Sequence, residues 1–257
     1  MNRPLHSPHL PDGSPRDLNR AARKLLDTLE GGIVVSCQAR PGNPLEGSES
    51  MAIVARAAEL GGARALRING VADIVAVRRL SDLPVMGILK EDHDDSPIMI
   101  TPTVAAVRKV LAAGAPIVAL DGTNRYRPGG ETLGAAVREI HRGRALAFAD
   151  LATREDLHHA VAADVDAVGT TLSGYTAESP KSEEPDFDLL AWLVKHSPVP
   201  VFAEGRFWTP DQAAQAFALG AAFVVIGTAI TNPMAITSRF VAETARSVAA
   251  GNAVSEG

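Results

Sequence analysis

The stretch Pro84-Val-Met-Gly-Ile-Leu-Lys90 decides the fold prediction, because it is an uninterrupted apolar run of strand length that ends in a lysine. Apolar runs without polar alternation are typical of strands covered on both faces, as in a parallel sheet flanked by helices. An ammonium at the end of such a strand needs carboxylates or anionic ligands nearby, or it loses its proton. Lys90 is therefore the first candidate for chemistry, and a lysine that simply extends into solvent beside Glu91 and Asp92 is the alternative.

Seven more apolar runs of this kind occur along the chain, and helical patterns follow them. Eight such units within about 250 residues predict a single (β/α)8 barrel, the TIM-barrel fold. An open doubly wound sheet is the alternative, but its first strand is usually followed by a GxGxxG turn, where this chain has Gln38-Ala-Arg40. The predicted strands are 32–38, 63–69, 84–90, 116–121, 145–150, 167–172, 199–204 and 222–227, and the helices lie near 50–60, 71–81, 103–113, 131–142, 154 onward, 186–196, 210–219 and 233–249.

The barrel is predicted as one domain at residues 19–250, entered through a short helix that stops at Gly31-Gly32. Residues 1–18 contain four prolines and little apolar surface, so burial cannot offset the entropy of ordering them. We expect a flexible leader there and a flexible tail at residues 251–257.

The composition excludes several classes of function. The 257 residues are 46% hydrophobic, enough for a full core, and carry a formal net charge of −5. No arginine-rich stripe is interleaved with aromatic residues, so nucleic acid is not expected as a partner. Neither a signal peptide nor a run of about 18 apolar residues occurs, which predicts a cytoplasmic protein without a membrane span. The single cysteine, Cys37, allows no intramolecular disulfide and no thiolate cluster, and it indicates a reducing compartment.

Polar side chains end all eight predicted strands, while the strand interiors are apolar. In a (β/α)8 barrel the active site lies at the carboxyl ends of the strands, so we expect this ring to meet at one mouth. Lys90 and Glu204 would lie on opposite sides of the mouth and could move a proton to and from one substrate. Asp121 and Asp150 could hold hydroxyl groups or keep Lys90 charged. The ring consists of Gln38, Arg67 with Asn69, Lys90, Asp121, Asp150, Thr170 with Thr171, Glu204, and Gly227 with Thr228.

A phosphate site is expected beside this ring. The loops after strands seven and eight of such barrels often bind phosphate through backbone N–H groups. Here these loops contain Gly205 and Gly227, which let the backbone approach an anion, and Arg67 or Arg206 could add charge. No cluster at the strand ends has metal-ligand spacing, so no catalytic metal is expected.

Several segments match one known family in their order along the chain. They are 33–39 (IVVSCQA), 44–45 (PL), 66–69 (LRIN), 84–90 (PVMGILK), 100–103 (ITPT), 119–123 (ALDGT), 149–153 (ADLAT), 169–176 (GTTLSGYT) and 202–206 (FAEGR). With these segments the chain resembles the bacterial N-acetylmannosamine-6-phosphate 2-epimerases, (β/α)8 barrels of sialic acid degradation, over about residues 20–245. The resemblance implies epimerisation at C2 of N-acetylmannosamine 6-phosphate to N-acetylglucosamine 6-phosphate, without a cofactor.

The resemblance also implies roles for individual residues. Lys90 matches the catalytic lysine that takes the C2 proton, and Glu204 matches its partner carboxylate, which helps open the sugar ring or delivers the proton to the other face. Whether one base or two invert C2 stays open. The substrate-binding candidates are Gln38, Arg67 and Asp150, with Asp121 and Thr170 added from the ring of strand ends, and the phosphate-binding candidates are Gly205, Arg206, Gly227 and Thr228.

One departure from the family pattern follows strand eight, where an arginine usually precedes proline and this chain has Asn232-Pro233. Either Arg206 or another cation then binds the phosphate, or the substrate is a related one. Two other functions stay open: a barrel aldolase with a Schiff base on Lys90, and a phosphosugar-binding protein without turnover. A homodimer is what the family suggests, and the final helix could seal the barrel or join a neighbouring copy.

Overall fold

The computed structural model of the chain describes residues 20–255, with side chains described for residues 21–246. Eight parallel strands pair in chain order and the last pairs with the first, so the sheet closes into a barrel and the TIM-barrel prediction is confirmed. The strands are β1 (Ile33–Cys37), β2 (Ala65–Asn69), β3 (Val85–Ile88), β4 (Ile117–Asp121), β5 (Leu146–Asp150), β6 (Ala167–Gly169), β7 (Val201–Glu204) and β8 (Phe223–Ile226). The helices are α1 (Arg20–Leu29), α2 (Ser48–Leu60), α3 (Val71–Leu80), α4 (Val104–Ala112), α5 (Leu133–Arg142), α6 (Asp156–Ala162), α7 (Phe187–His196), α8 (Pro210–Ala218), α9 (Thr228–Thr231) and α10 (Pro233–Ser255).

The interior of the barrel is filled by apolar side chains. The rings of Phe148, Phe202 and Phe223 contact one another there, with centroid separations of 5.9, 5.8 and 5.0 Å. Gly169 of β6 makes room for them, because a Cβ at this position would lie 2.0 Å from the Phe202 ring. The inward-facing polar residues are therefore collected beyond this layer, at the carboxyl ends of the strands.

A second apolar layer lies between the strands and the helices, and Cys37 belongs to it. Burial raises the pKa of the Cys37 thiol to about 12, so the group stays protonated at neutral pH. The prediction that Cys37 is a small buried hydrophobic residue agrees with this environment.

Helix α1 closes the amino-terminal end of the barrel. Leu26 and Leu29 are buried against the interior residues of the strands, and the N–H of Gly31 donates to the carbonyl of Ala222 at 2.7 Å. Gly31 has φ = 68°, a left-handed conformation that glycine adopts without steric cost and that ends the helix. The mouth at the carboxyl end is therefore the open end of the barrel.

The structure differs from the predicted elements mainly after β6 and after β8. β6 ends at Gly169, where 172 was predicted. The short helix α9, which has too few residues for a helical pattern, follows β8, and α10 then extends to Ser255, beyond the predicted end at 249. Residues 251–255 of the predicted tail are thus helical, while 256–257 and the predicted leader at 1–18 lie outside the described residues.

Helix α10 does not cover the barrel along its length. Every side chain from Thr237 to Arg246 is exposed, including Phe240 and Val241 at 69% and 62%. An apolar groove of about 500 Å³ lies beside its start, lined by β1, α2 and the segment from Ile230 to Pro233. Within residues 20–255, none of the helices is both long and apolar enough to span a bilayer.

Candidate active site

Four charged side chains meet at the mouth because of strand alternation. Residues two apart on a strand face the same side. Inward-facing Phe148 is thus followed by Asp150, and inward-facing Ile88 by Lys90. The same spacing brings Arg67 of β2 and Glu204 of β7 to the mouth, although these strands lie on different sides of the barrel.

Arg67 is the centre of this cluster, and its side chain is 1% exposed. Nη1 and Nη2 donate to Oδ1 and Oδ2 of Asp150 at 3.0 and 2.6 Å, and Nη1 also donates to Oε2 of Glu204 at 2.8 Å. Burial alone would lower the pKa of Arg67, but the two carboxylates raise it above its ordinary value. One cation thus holds two carboxyl groups of different strands in fixed positions.

Thr171 links the same two carboxyl groups. Its hydroxyl lies 2.6 Å from Oδ1 of Asp150 and 3.1 Å from Oε2 of Glu204. A hydroxyl has one hydrogen, so Thr171 donates to one carboxylate at a time. The second carboxyl group then faces the lone pairs of the hydroxyl oxygen. It makes a favourable hydrogen bond there when it carries a proton of its own to donate.

Glu204 is the carboxyl group suited to carry that proton. Desolvation raises the pKa of Glu204 to about 7, and the negative charge of Asp150 also raises it, against the lowering effects of Arg67, Thr171 and Lys90. Glu204 can therefore both accept and donate a proton near neutral pH, which is the requirement for general acid–base catalysis.

Lys90 is anchored at the mouth by its neighbours on β1 and β2. Its ammonium donates to Oε1 of Gln38 at 2.8 Å, and Nε2 of Gln38 donates to Oγ of Ser36 at 2.8 Å. The backbone N–H of Lys90 donates to Oδ1 of Asn69 at 2.9 Å. The lysine is exposed to the mouth, so a substrate can reach its amine.

The electrostatic surroundings favour the neutral form of Lys90. Desolvation lowers its pKa, and so do the positive charges of Arg67 and Arg40, while Glu204 and Asp150 raise it. The pKa lies below the ordinary value for lysine, which increases the fraction of free amine at neutral pH. An amine whose pKa is lowered and a carboxyl group whose pKa is raised thus share one mouth.

Comparisons with known proteins identify the family of this chain. Residues 51–246 match the family model described as "Putative N-acetylmannosamine-6-phosphate epimerase". The chain belongs to this epimerase family. A relative from Caldanaerobacter subterraneus subsp. tengcongensis, named "Putative N-acetylmannosamine-6-phosphate 2-epimerase", is 46% identical over 84% of the chain and 92% of its own length. A relative of the same name from Cutibacterium acnes is 47% identical over 84% and 95%.

Solved structures include one of the N-acetylmannosamine-6-phosphate 2-epimerase from Clostridium perfringens. It is 44% identical to this chain, covers 84% of it and 95% of its own length, and superposes with a TM-score of 0.83. FabK from Thermotoga maritima has a TM-score of 0.55 at 20% identity over 82% of this chain and 61% of its own, which shows a shared fold alone. Membership in the epimerase family therefore rests on both sequence and structure.

Five of the residues proposed from the sequence of this family member lie together. Arg67, Asp150 and Glu204 are in direct contact, and Lys90 contacts Gln38 beside them. Thr170 lies next to the cluster but faces the backbone of β7: its hydroxyl donates to the carbonyl of Glu204 at 2.9 Å, and the N–H of Glu204 donates back at 3.1 Å. In this position Thr170 fixes the end of β7, and its neighbour Thr171 makes the side-chain contacts.

Asp121 makes its contacts within the loop after β4. It accepts hydrogen bonds from the N–H and hydroxyl of Thr123 at 3.0 and 2.6 Å and pairs with Arg125 at 2.6 Å. Desolvation raises the pKa of Asp121 against the lowering effect of Arg125. These contacts make Asp121 part of the loop structure that supports the mouth, and none of them is with Lys90.

The guanidinium of Arg206 is also held by protein groups. Its Nε donates to the carbonyl of Glu184 at 2.7 Å and its Nη1 to the carbonyl of Ser173. The group lies 5.3 Å from the centroid of the Tyr175 ring. Arg206 therefore joins the loop after β6 to the end of β7, and two of its nitrogens already have acceptors.

The glycines proposed for phosphate binding lie at the ends of adjacent strands, since Glu204 and Val225 are register partners. Gly205 has φ = 113°, a conformation that favours glycine. Gly227 packs against β1, because a Cβ on it would lie 3.2 Å from Cβ of Ser36. Thr228 follows as the first residue of α9. Between residues 20 and 255, no group of three or more His, Cys, Asp or Glu side chains is arranged to hold a metal ion.

Two residues at the mouth are absent from the substrate- and phosphate-binding candidates proposed from sequence, although Thr171 was named in the ring of strand ends. Thr171 could have been chosen over Thr170 by counting two residues from inward-facing Gly169. Arg40 gave no such signal, because it lies in a loop that the strand pattern does not orient.

Proposed function

We propose that this protein interconverts N-acetylmannosamine 6-phosphate and N-acetylglucosamine 6-phosphate by moving a proton at C2, as a step of sialic acid catabolism. The observation that carries the proposal is that Lys90, bound to Gln38, and Glu204, bound to Arg67, lie at the same mouth, with the pKa of Lys90 lowered and that of Glu204 raised to about 7. Family membership and the names of the relatives support the choice of substrate.

The chemistry requires a base, an acid and charge stabilisation. In the open-chain sugar, C2 is next to the C1 aldehyde, so its proton is acidic. The free amine of Lys90 takes this proton and becomes an ammonium, while the electron pair forms an enolate that a neighbouring cation stabilises. Return of a proton to the opposite face of C2 gives the other epimer, with no net oxidation or reduction.

Glu204 fits two roles in this scheme. With its proton it can protonate the ring oxygen and so favour opening of the sugar ring, or it can supply the proton that returns to C2. Arg67 and Thr171 hold the carboxyl group for either role. Gln38 directs the amine of Lys90 before the substrate arrives.

Hydrogen exchange at C2 tests the proposal. In heavy water, the wild-type protein should convert N-acetylmannosamine 6-phosphate and introduce deuterium at C2, measured by NMR. Lys90→Ala should lower both by about 1000-fold or more, because the proposed scheme assigns removal of the C2 proton to this amine. Lys109→Ala is the matched control, since Lys109 is an exposed lysine paired with Glu91 at 2.7 Å. Conversion at the normal rate in Lys90→Ala would remove Lys90 from the mechanism.

Borohydride trapping and the same exchange experiment separate the alternatives. A barrel aldolase would form a Schiff base on Lys90, which borohydride would trap as a stable adduct on that residue. A phosphosugar-binding protein without turnover would bind N-acetylmannosamine 6-phosphate and leave its C2 hydrogen unexchanged.

We further propose that the protein acts as a homodimer through helix α10. The exposed apolar face of α10, with Phe240 and Val241, matches the apolar character of the groove beside β1 and α2. In a second copy the same groove is open to the helix of the first, so one contact occurs twice around a two-fold axis.

We also propose a cytoplasmic location, because the buried, protonated thiol of Cys37 fits a reducing compartment.

A further inference from the structure

A phosphorylated substrate needs a cation at the mouth, and most of the arginines there are already engaged. Arg67 binds Asp150 and Glu204. Arg125 binds Asp121, and Arg206 donates to two carbonyl groups of the loop after β6. Arg67 and Arg125 would have to give up carboxylate partners to bind a phosphate, and two of the three nitrogens of Arg206 are already engaged.

Arg40 lies in the loop between β1 and α2, and its place at the mouth follows from its neighbours. It comes two residues after Gln38, whose side chain accepts a hydrogen bond from the ammonium of Lys90. The carbonyl of Arg40 accepts the N–H of Asn43 at 3.0 Å, which closes a turn. Within residues 20–255 no ion pair engages the guanidinium of Arg40, and the residue is exposed.

The loop that carries Arg40 borders the glycine loop after β8. Nδ2 of Asn43 donates to Oδ1 of Asn232 at 3.4 Å. Gly227 lies against Ser36 of β1, and the hydroxyl of Thr231 donates to the carbonyl of Ser36 at 2.8 Å. The end of β1 and the loop after β8 therefore contact each other, and we call the surface between the loop of Arg40 and the loop after β8 the recess.

Asn232 cannot supply charge to this recess. Its side-chain oxygen accepts the N–H of Ala235 at 3.1 Å and so begins helix α10, while also contacting Asn43. A recess with glycine backbone on one side still needs a cation to bind a dianion tightly. Arg40 is a cation on the loop at the other side of this recess.

We propose that Arg40 is the phosphate-binding cation of this protein and determines its preference for a 6-phosphorylated sugar. The inference rests on the proposed epimerase function for the identity of the sugar. The guanidinium of Arg40 donates to phosphate oxygens from the β1 side, and the backbone around Gly227 approaches them from the β8 side.

Steady-state kinetics of Arg40→Ala test the inference. The KM for N-acetylmannosamine 6-phosphate should rise by about 10- to 100-fold, the loss expected for one charge-assisted contact, with a much smaller effect on kcat. The constant for competitive inhibition by inorganic phosphate should weaken by a similar factor. Arg56→Ala, an exposed arginine of α2 paired with Glu59, is the control and should match the wild type.

A second variant protects the test against a folding defect. Asn232→Arg in the Arg40→Ala background returns a cation to the other side of the same recess and should recover most of the lost affinity. An unchanged KM and an unchanged inhibition constant in folded Arg40→Ala would overturn the inference. An equal loss of kcat/KM for N-acetylmannosamine and its 6-phosphate would also overturn it, because the contact would then not be with phosphate.

Calorimetric titration with inorganic phosphate separates this inference from the proposed function, since it needs no turnover. Phosphate binding by the wild type that Arg40→Ala loses supports the role of Arg40, even if no epimerisation occurs. Equal phosphate binding by both proteins contradicts it, even if epimerisation is rapid.

Discussion

The buried environment of Glu204 in the folded protein opposes ionisation of its carboxyl group. A carboxyl group whose pKa is raised by folding contributes most to stability below its unfolded-state pKa, and that contribution is lost as the pH rises through the folded-state value. For Glu204 this window extends from its ordinary value near 4.5 to about 7. Above pH 7 the protein therefore retains a buried negative charge at a cost in stability.

Substitution of Glu204 by glutamine should remove that cost. We expect Glu204→Gln to raise Tm by roughly 5 °C at pH 8.5, with a smaller gain at pH 4.5, where the wild-type group is largely protonated. Calorimetry at the two pH values measures this change in Tm. Glu139→Gln is the control, because hydrogen bonding by Arg108 lowers the pKa of Glu139 and no gain is expected there. An equal gain at both pH values would show that ionisation of Glu204 does not affect stability.

The sequence identifies the charged residues of the site better than their hydrogen-bond partners. Lys90 and Glu204 can be predicted because each ends an apolar strand, and strand alternation then turns them inward. The engagement of Arg206 by two loop carbonyls could not be predicted, since it depends on how the long loop after β6 folds. Arg40 was missed because it also lies in a loop, the one between β1 and α2, whose fold the strand pattern does not predict.

At the scale of elements, the barrel strands follow from their apolar runs and parallel pairing, whereas the ends of elements do not. Helix α9 has four residues and gives no periodicity to detect. α10 begins at Asn232-Pro233, a cap followed by a proline that fits the first turn. The alanine-rich helical pattern predicts that α10 is a helix, but it does not predict whether the helix packs on the barrel or projects from it.

Helix α1 is the element whose loss should affect stability without affecting chemistry. Leu29 is fully buried at the amino-terminal end of the barrel, opposite the mouth. Leu29→Ala should therefore lower the free energy of unfolding by about 2–4 kcal/mol in urea titrations, with kcat unchanged at 25 °C. Leu80→Ala, at a leucine that is 51% exposed, should cost much less. A loss of kcat in folded Leu29→Ala would mean that α1 also shapes the active site.

At the scale of the whole molecule, the projecting helix predicts the state of assembly. Phe240→Glu places a charge on the apolar face of α10 and should convert a dimer into monomers, measured by sedimentation equilibrium. Leu80→Glu changes an exposed leucine of α3 and should leave the dimer intact. A monomeric wild-type protein, or a dimer that persists in Phe240→Glu, would contradict the proposed role of α10.

The closure of the barrel floor by Leu26, Leu29 and the three phenylalanine rings has a kinetic consequence. Because the other end is closed, substrate and product enter and leave through the same opening, the mouth. Substrate and product are epimers that differ at one carbon, so the product that leaves competes with the substrate that arrives for the same mouth. Net flux then depends on removal of one epimer by whatever enzyme acts next in the cell.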